Sequence, residues 1–549
     1  MSKIKIFALG GQNEVGKNMY VVNVDSKIYV FEAGLKYADD KLLGVDYIIP
    51  NYDYLIENKD KIVGIFITHG HDEQMGALSD MLMDLKDVPI YAGKFTLEII
   101  KQDLIESGIK NAKLIEISAH KKINFGSESI FPIQVSHALP DSFLYVLSTK
   151  DGSIVFSGNY VFDPSMMGPY SMDIGKLAYI GKQNVLCLMN ESLYSDKVGY
   201  TSPNHHASKV IRTTIDENPG RIFFNIFETQ IYRMQELFNE ILKTDRNVVI
   251  MGKSLENIIL KGIELNYIDF DSTRIKPITH VNDDKIIVII SNEREKPYSS
   301  LKRILRNSDK FVTLKETDTV VMLSPLYEGT EITATKVFNN IAKVGANLIL
   351  LSKKYLSPHA SSEDIMLMIN LMKPKYYFPV IGEYRNQVEN ALLAEKLNIS
   401  KENILLNLNG EVITFIDGKL VDDSEKIKID EILIDGKTVG DIGDLVLKDR
   451  EMLSDSGIVI VNVNININKE TRAIINKPNI ITKGFIYVKD NIEILKESEA
   501  IVSKVVIDNV KEKYIDYNKV KNGIREKLGK YLYKETECKP MIIIVIQEI

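Results

Sequence analysis

The sequence predicts an α/β protein of several domains, on three observations. Short β-branched and aromatic runs at residues 3–8, 19–24 and 27–31 are bounded by Gly, Asn and Asp, and alternate with helical stretches to about residue 185. From 206 to 350 the pattern becomes strand–helix pairs, such as 221–227 followed by 231–243, which argues for a parallel sheet in an inserted domain. Residues 451–549 then combine one alternating strand at 458–467, helix candidates at 492–510 and 517–532, and an apolar final strand at 541–546.

Each element has a local reason. Residues 61–68 form a mostly apolar strand that runs into His69-Gly70-His71, a helix is expected over 77–85, and another strand over 88–91. Such a strand–loop–helix order sets ligand-bearing loops at strand ends. Strands at 285–290, 320–323 and 347–351 belong to the inserted sheet, after which helix 362–372 and strand 376–380 resume the first pattern. The polar stretch 424–450, with Gly436, Gly440 and Gly443, reads as an extended connector.

The chain's 549 residues are enough for about three or four domains. Apolar residues make up 45% and charged residues 26%, so each domain can bury a core. Tryptophan is absent, and 26 Tyr and 19 Phe supply the aromatic packing. The net charge of −7 excludes a generally basic surface but leaves room for a local basic channel. Cys187 and Cys538 stand far apart, so no disulfide framework is expected and a reducing cytoplasm fits. No apolar run approaches the ~18 residues of a membrane span, so no membrane association is expected.

The chemistry-bearing segment is Thr68-His69-Gly70-His71-Asp72-Glu73-Gln74-Met75-Gly76-Ala77. Two histidines at i and i+2 on a loop can converge on one metal through their imidazole nitrogens. Alone, the same spacing also describes two surface histidines.

The segment resembles the HxHxDH signature of metallo-β-lactamase-fold hydrolases, in its ribonuclease J form Thr-His-Gly-His-Glu-Asp-His-Ile-Gly-Gly. Further segments match that family in order: Leu9-Gly10-Gly11 with Gly16-Lys17-Asn18, Leu43-Gly44-Val45-Asp46 with Pro50, and His137 with Pro140-Asp141. Later come Phe378-Pro379-Val380, Gly382-Glu383-Tyr384-Arg385, and, near the end, Thr482-Lys483-Gly484-Phe485 and Lys539-Pro540-Met541-Ile542. The chain is similar in particular to the catalytically degraded second paralogue of low-GC bacteria.

The resemblance implies an αββα metallo-β-lactamase sandwich from residues 1–205 and 352–423. A β-CASP parallel-sheet domain at 206–351 would be inserted in it, with a linker at 424–450 and a small α+β oligomerisation domain at 451–549. It also implies two Zn²⁺ or Mn²⁺ ions that activate a water for attack on an RNA phosphodiester. The first ion's ligands fall on His69, His71 and His137, all present. The second ion's fall on Glu73 and Gln74, with the bridging aspartate at Asn159 and the last histidine at Ile381. Glutamine and asparagine lack the charge or imidazole the positions require, and isoleucine coordinates nothing. A two-metal centre is therefore not expected, and one Zn²⁺ or Mn²⁺ at the three histidines is the candidate residual site.

The family's phosphate-handling motif reads Tyr355-Leu356-Ser357-Pro358-His359, leaving Ser357, His359 and Ser361 as RNA-contact candidates. Its glycine-containing loop reads Ser291-Asn292-Glu293-Arg294-Glu295-Lys296-Pro297, without glycine and with two acids. The acidic position Glu191 is kept, Glu32 replaces an aspartate, and no catalytic residue is assigned.

The expected function is a ribonuclease J-like protein of RNA processing and decay that is non-catalytic or weakly active. RNA and an active ribonuclease J paralogue would be its partners, in a homo- or hetero-oligomer formed through the C-terminal domain. The alternative is a weak one-metal 5′–3′ exo-/endoribonuclease in mRNA decay and rRNA maturation. A small-molecule hydrolase would leave the inserted and C-terminal domains without a use. His205-His206 is expected to be solvent-exposed at the start of a helix, and His120 and His280 have no ligand-like neighbours in sequence.

Overall fold

Two stacked β-sheets build the part of the chain that carries the histidines. The computed structural model describes residues 2–38, 42–292, 298–324, 330–352, 354–422, 424–436, 438–439, 444–466, 473–474, 476–486, 491–510 and 515–548. It divides into one unit of residues 1–37 and 46–432 and a second of 38–45 and 433–549.

In the first unit, an eight-stranded sheet runs in the order Lys419–Val421, Ile413–Ile416, Lys3–Gly10, Met19–Val24, Lys27–Phe31, Ile62–Phe66, Ile90–Ala92, Leu114–Glu116. A six-stranded sheet runs Tyr376–Val380, Val185–Glu191, Gly152–Phe156, Phe143–Thr149, Glu128–Gln134, Ile123–Phe125. Tyr29, Phe31, Phe66, Tyr145 and Phe156 pack between the two sheets, with the Phe31 and Phe156 rings 5.4 Å apart. Each such side chain contributes about 1.5–3 kcal/mol on leaving water.

Both outer faces carry helices. Tyr54 of the helix Asp53–Glu57 meets Phe7 of the first sheet edge-on at 5.0 Å. Ile365, Met368 and Met372 of the helix Ser362–Met372 pack with Val155, Leu188 and Tyr377 of the second. The result is the expected αββα sandwich. Because strands from before and after the inserted segment share both sheets, that segment is held at both ends by the sandwich.

The inserted segment forms a five-stranded parallel sheet, in the order Val248–Met251, Ile287–Asn292, Ile222–Phe227, Thr319–Met322, Asn347–Leu350. Its central strand is buried at every residue, which is why it reads as a continuous apolar run. At its start Arg221 grips Asp318 bidentately, Nε to Oδ1 at 2.9 Å and Nη2 to Oδ2 at 2.6 Å, with both side chains buried.

In the second unit, the strand Ile458–Asn466 pairs antiparallel with Asn479–Lys483 and Ala473–Ile474 and parallel with Met541–Glu548. Its alternate residues Val459, Val461, Val463 and Ile465 pack against Val502, Val506, Ile524 and Leu528. These come from the helices Ile492–Val510 and Tyr517–Thr536.

Two local expectations are corrected. The helix expected over 77–85 is a single turn, Leu78–Met81, and a separate turn, Asp72–Met75, precedes it. Between them Ala77 N donates to Ala33 O at 2.8 Å, a bond outside the helical ladder, and a Cβ on Gly76 would lie 2.5 Å from Leu35. The stretch read as an extended connector holds a strand pairing, Ile434 with Val439, and the helix Asp444–Ser456. Gly440 and Gly443 lie outside the described residues.

Candidate metal centre

Each sheet delivers one arm of the site. The strand Ile62–Phe66 ends in the loop bearing His69 and His71, and the strand Glu128–Gln134 leads to His137. Their inner nitrogens converge: His69 Nε2 lies 2.9 Å from His71 Nδ1, and His137 Nε2 lies 3.4 Å from it. Nitrogens bound to one tetrahedral Zn²⁺ at about 2.0–2.1 Å stand roughly 3.3 Å apart.

The outer nitrogens explain why these lone pairs point inward. His137 Nδ1 donates to Pro358 O at 2.7 Å, and His71 Nε2 meets Thr229 O at 3.3 Å. A carbonyl only accepts, so both outer nitrogens carry hydrogen. His69 Nδ1 lies 2.8 Å from Thr68 Oγ1, whose own hydrogen goes to Glu32 Oε1. With the hydrogen of His69 on Nδ1, three lone pairs face one point, an arrangement that repels itself unless a cation sits there. His69 and His137 are 0% exposed. Burial, followed by the neighbouring imidazoles, holds both well below the ordinary histidine range, so they stay neutral and ligand-competent. Burial pushes Glu32 up to about 8, against the lowering effect of its Thr68 hydrogen bonds.

The remaining positions follow a different geometry. Glu73 lies outside the three-histidine group, and its carbonyl accepts from Asn18 N at 3.2 Å. Gln74 Nε2 donates to Asn159 Oδ1 at 3.0 Å, and Asn159 Nδ2 donates to Glu191 Oε2 at 2.7 Å. Glu191 also accepts from Tyr160 N at 2.8 Å and Ala360 N at 3.1 Å. His359 Nδ1 joins this chain, 3.1 Å from Asn159 Nδ2 and 3.2 Å from Glu191 Oε2. Ile381 packs into the core between the sheets at 1% exposure, with φ at +56° and its N–H on Tyr20 OH at 2.9 Å.

The two serines and the histidine expected at a phosphate path occupy one turn. The Tyr194 hydroxyl is hydrogen-bonded to Ser357, and His359 N donates to Ser357 O at 2.8 Å. Ser361 is buried ahead of the helix Ser362–Met372, its N–H on Asp364 Oδ2 at 3.1 Å and its hydroxyl 2.6 Å from that of Thr201. Residues 293–297, with Glu293, Glu295 and Pro297, lie outside the described residues.

Sequence reasoning missed a second group. Among the described residues, two sets could hold a metal: the three histidines above, and Asp163, His205 and His206. The helix expected to open on the histidine pair begins at Ser208, and His205 is buried at 2% exposure, correcting the expectation of two exposed residues. No spacing rule links Asp163 to residues 42 positions away, and only the adjacent histidine pair gave a signal. His120 and His280 each meet one carboxylate, Asp173 at 3.3 Å and Asp283 at 2.8 Å.

Comparison with known proteins follows this geometry. Residues 219–341 match the family model "Ribonuclease J, beta-CASP domain", and residues 445–549 match "Ribonuclease J C-terminal domain". Ribonuclease J2 of Bacillus subtilis (strain 168) is 34% identical over 100% of this chain and 99% of its own. Ribonuclease J 2 of Staphylococcus aureus (strain NCTC 8325 / PS 47) is 33% identical over 100% of this chain and 98% of its own. A crystal structure of a protein of unknown function from Enterococcus faecalis V583 aligns with a TM-score of 0.52 at 17% identity, over 75% of this chain and 100% of that one, which bears on the fold alone. Near-complete coverage at this identity, together with both domain matches, places the chain in the ribonuclease J family.

Proposed function

We propose that the protein works in RNA processing and decay as a non-catalytic or weakly active partner of an active ribonuclease J. The observation that carries this reading is the Gln74–Asn159–Glu191 chain. Where the family resemblance sets the second ion's ligands, two neutral amides are joined by one hydrogen bond, from Gln74 Nε2 to Asn159 Oδ1, and Gln74 Oε1 is left without a partner among the described residues. A neutral amide supplies neither imidazole nitrogen nor the negative charge that offsets a second dication. The three-histidine pocket holds one ion, Zn²⁺ or Mn²⁺, and the two-metal centre does not assemble.

In this reading the sandwich comprises 1–205 and 352–423, the β-CASP domain 206–351, a linker 424–450 that itself carries the Ile434–Val439 pairing and the start of the helix Asp444–Ser456, and 451–549 the element of homo- or hetero-oligomerisation. Ser357 and His359 are the RNA-contact residues. Ser361 is kept as a third, although its hydroxyl already pairs with Thr201. The protein acts in the cytoplasm. No helix among the described residues is long and apolar enough to cross a membrane.

A second reading rests on the three converging imidazoles. One ion held by three histidines leaves a fourth position for water, the arrangement of a hydrolytic zinc site. The protein would then be a slow one-metal exo-/endoribonuclease in mRNA decay and rRNA maturation.

Digestion of 5′-monophosphorylated RNA by purified protein with Mn²⁺ or Zn²⁺ separates the two readings, with a His69→Ala/His71→Ala double variant as control. The leading reading, in its non-catalytic form, expects equal background degradation from both. Degradation by the wild type alone overturns it in favour of the one-metal nuclease. Failure to co-purify with an active paralogue removes the partner clause.

A further inference from the structure

The second group of candidate ligands shares no residue with the three-histidine site, and its donor atoms lie close enough together to share one ion. His205 Nε2 and His206 Nε2 approach the same oxygen, Asp163 Oδ2, at 2.6 and 2.7 Å. The other oxygen, Oδ1, is occupied by Ser165 N at 2.8 Å and Ser165 Oγ at 2.6 Å. That division fixes the carboxylate so that one oxygen is left for the two imidazoles.

The outer nitrogen of His206 completes the pattern. His206 Nδ1 meets Glu236 Oε1 at 3.1 Å. Glu236 is held in turn by Ala207 N at 3.1 Å and Ser208 Oγ at 2.8 Å, and lies in the helix Ile231–Ile241. A carboxylate bonded to one imidazole nitrogen while the other faces the ion is the usual support of a metal-ligating histidine. With the Nδ1 hydrogen directed at Glu236, the Nε2 lone pair of His206 faces the anionic oxygen of Asp163. That contact repels unless a positive charge, either a bound ion that spreads the two atoms apart or a second proton on His206, lies in the gap between them.

Burial suits an ion with one open position. The side chains of Asp163 and His205 are each 1% exposed, and that of His206 is 24% exposed. The partly open side gives a path of entry and room for a water ligand. Two imidazoles and a carboxylate are a donor set for Zn²⁺ and neighbouring divalent transition metals, and a poor one for Mg²⁺ or Ca²⁺.

We propose that Asp163, His205 and His206 form a second, structural divalent-metal site, supported by Glu236. The ion ties a loop of the sandwich to a helix of the inserted domain, because Asp163 precedes the insertion and Glu236 lies within it. This site shares no ligand with the three-histidine pocket. The alternative occupant of the same gap is a proton, which would make His206 a cationic bridge between two carboxylates, beside the buried guanidinium of Arg233, which donates to His205 O at 3.1 Å.

The test uses the full-length chain and Zn²⁺ alone, with calorimetric titration and metal analysis. A His69→Ala/His71→Ala background removes the first pocket. One Zn²⁺ per chain retained there, and lost on adding His206→Ala or Asp163→Asn, is the expected result. Glu236→Gln should weaken that binding about 10–100-fold without removing a ligand. No Zn²⁺ bound in the His69→Ala/His71→Ala background, with its circular dichroism unchanged, overturns the proposal in favour of the proton bridge. Should the His206 and Asp163 variants fail to fold, zinc-edge absorption spectroscopy of that background decides. A shell of two imidazoles and oxygen supports the site, and any shell lacking two imidazoles overturns it.

Discussion

Asn159 accepts a hydrogen bond from Gln74 Nε2 at 3.0 Å and donates one to Glu191 Oε2 at 2.7 Å. A neutral amide does both, which an ionised carboxylate cannot, at a place where Asn159 is 2% and Glu191 0% exposed. An aspartate there would bring two buried carboxylates into contact, and one would have to take up a proton. Asn159→Asp is therefore expected to cost about 2–4 kcal/mol in urea unfolding with EDTA present. In the Gln74→His/Asn159→Asp pair, a cation can replace the lost amide contacts. Its metal content should exceed the wild type's by one ion per chain. An unchanged content would mean that the cavity's shape, and not its donor charge, excludes the second ion.

The three inward lone pairs of His69, His71 and His137 predict that metal stabilises the fold. Zn²⁺ at about a hundred times its dissociation constant adds roughly 2.7 kcal/mol for one site, if the unfolded chain does not bind it. The Zn²⁺-dependent rise in Tm should shrink in His137→Ala, which removes one lone pair and leaves Pro358 O without its donor. An equal rise in both proteins would show that the pocket binds nothing.

The sandwich was legible because its strands carry their burial in their composition. The central strand Ile222–Phe227 is apolar and buried throughout, and Ile458–Asn466 alternates as a one-faced strand does. The histidine convergence was legible only through motif resemblance, since His137 comes from the other sheet. What stayed hidden depends on tertiary contacts between distant segments. Asp163 with His205 and His206, Glu236 on His206, and Thr229 O on His71 are joined only by folding. The single turn Asp72–Met75 was missed, and the bond from Ala77 N to Ala33 O keeps it apart from Leu78–Met81.

Ile381 combines two opposing energies. Its side chain is buried between the sheets, yet its φ of +56° is a left-handed conformation that β-branched residues rarely adopt. Strain of this kind costs about 1–3 kcal/mol and persists only where surrounding contacts enforce it. Ile381→Ala should destabilise by about 2–4 kcal/mol through the lost packing. Ile381→Gly loses slightly more volume but relieves the backbone, so its cost should be no greater than that of alanine. A glycine variant clearly less stable than the alanine variant in urea denaturation would show that the backbone stores no strain there.

Asp103, half-buried on the helix Lys94–Glu106, supplies a pH dependence with a definite sign. Burial, reinforced by the charges of Asp72, Glu106 and Glu228, raises its carboxyl from the ordinary 3.8 to about 7. The folded protein thus holds this proton more tightly than the unfolded chain does. The stability this contributes is fully present below the unfolded value and is lost as pH rises through about 7. Asp103→Asn cannot ionise and removes this term. Wild type and variant should therefore diverge as pH rises from about 4 to about 7, the variant becoming the more stable by roughly 2 kcal/mol after allowance for partial solvent screening. Glu228 is gripped by the hydroxyls of Ser254 at 2.9 Å and Ser291 at 2.6 Å, so its charge cannot swing away to relieve the repulsion. Glu228→Gln should accordingly lower the pH at which the wild-type loss is complete and make that loss smaller, and parallel pH profiles for wild type and Asp103→Asn would remove Asp103 as the source.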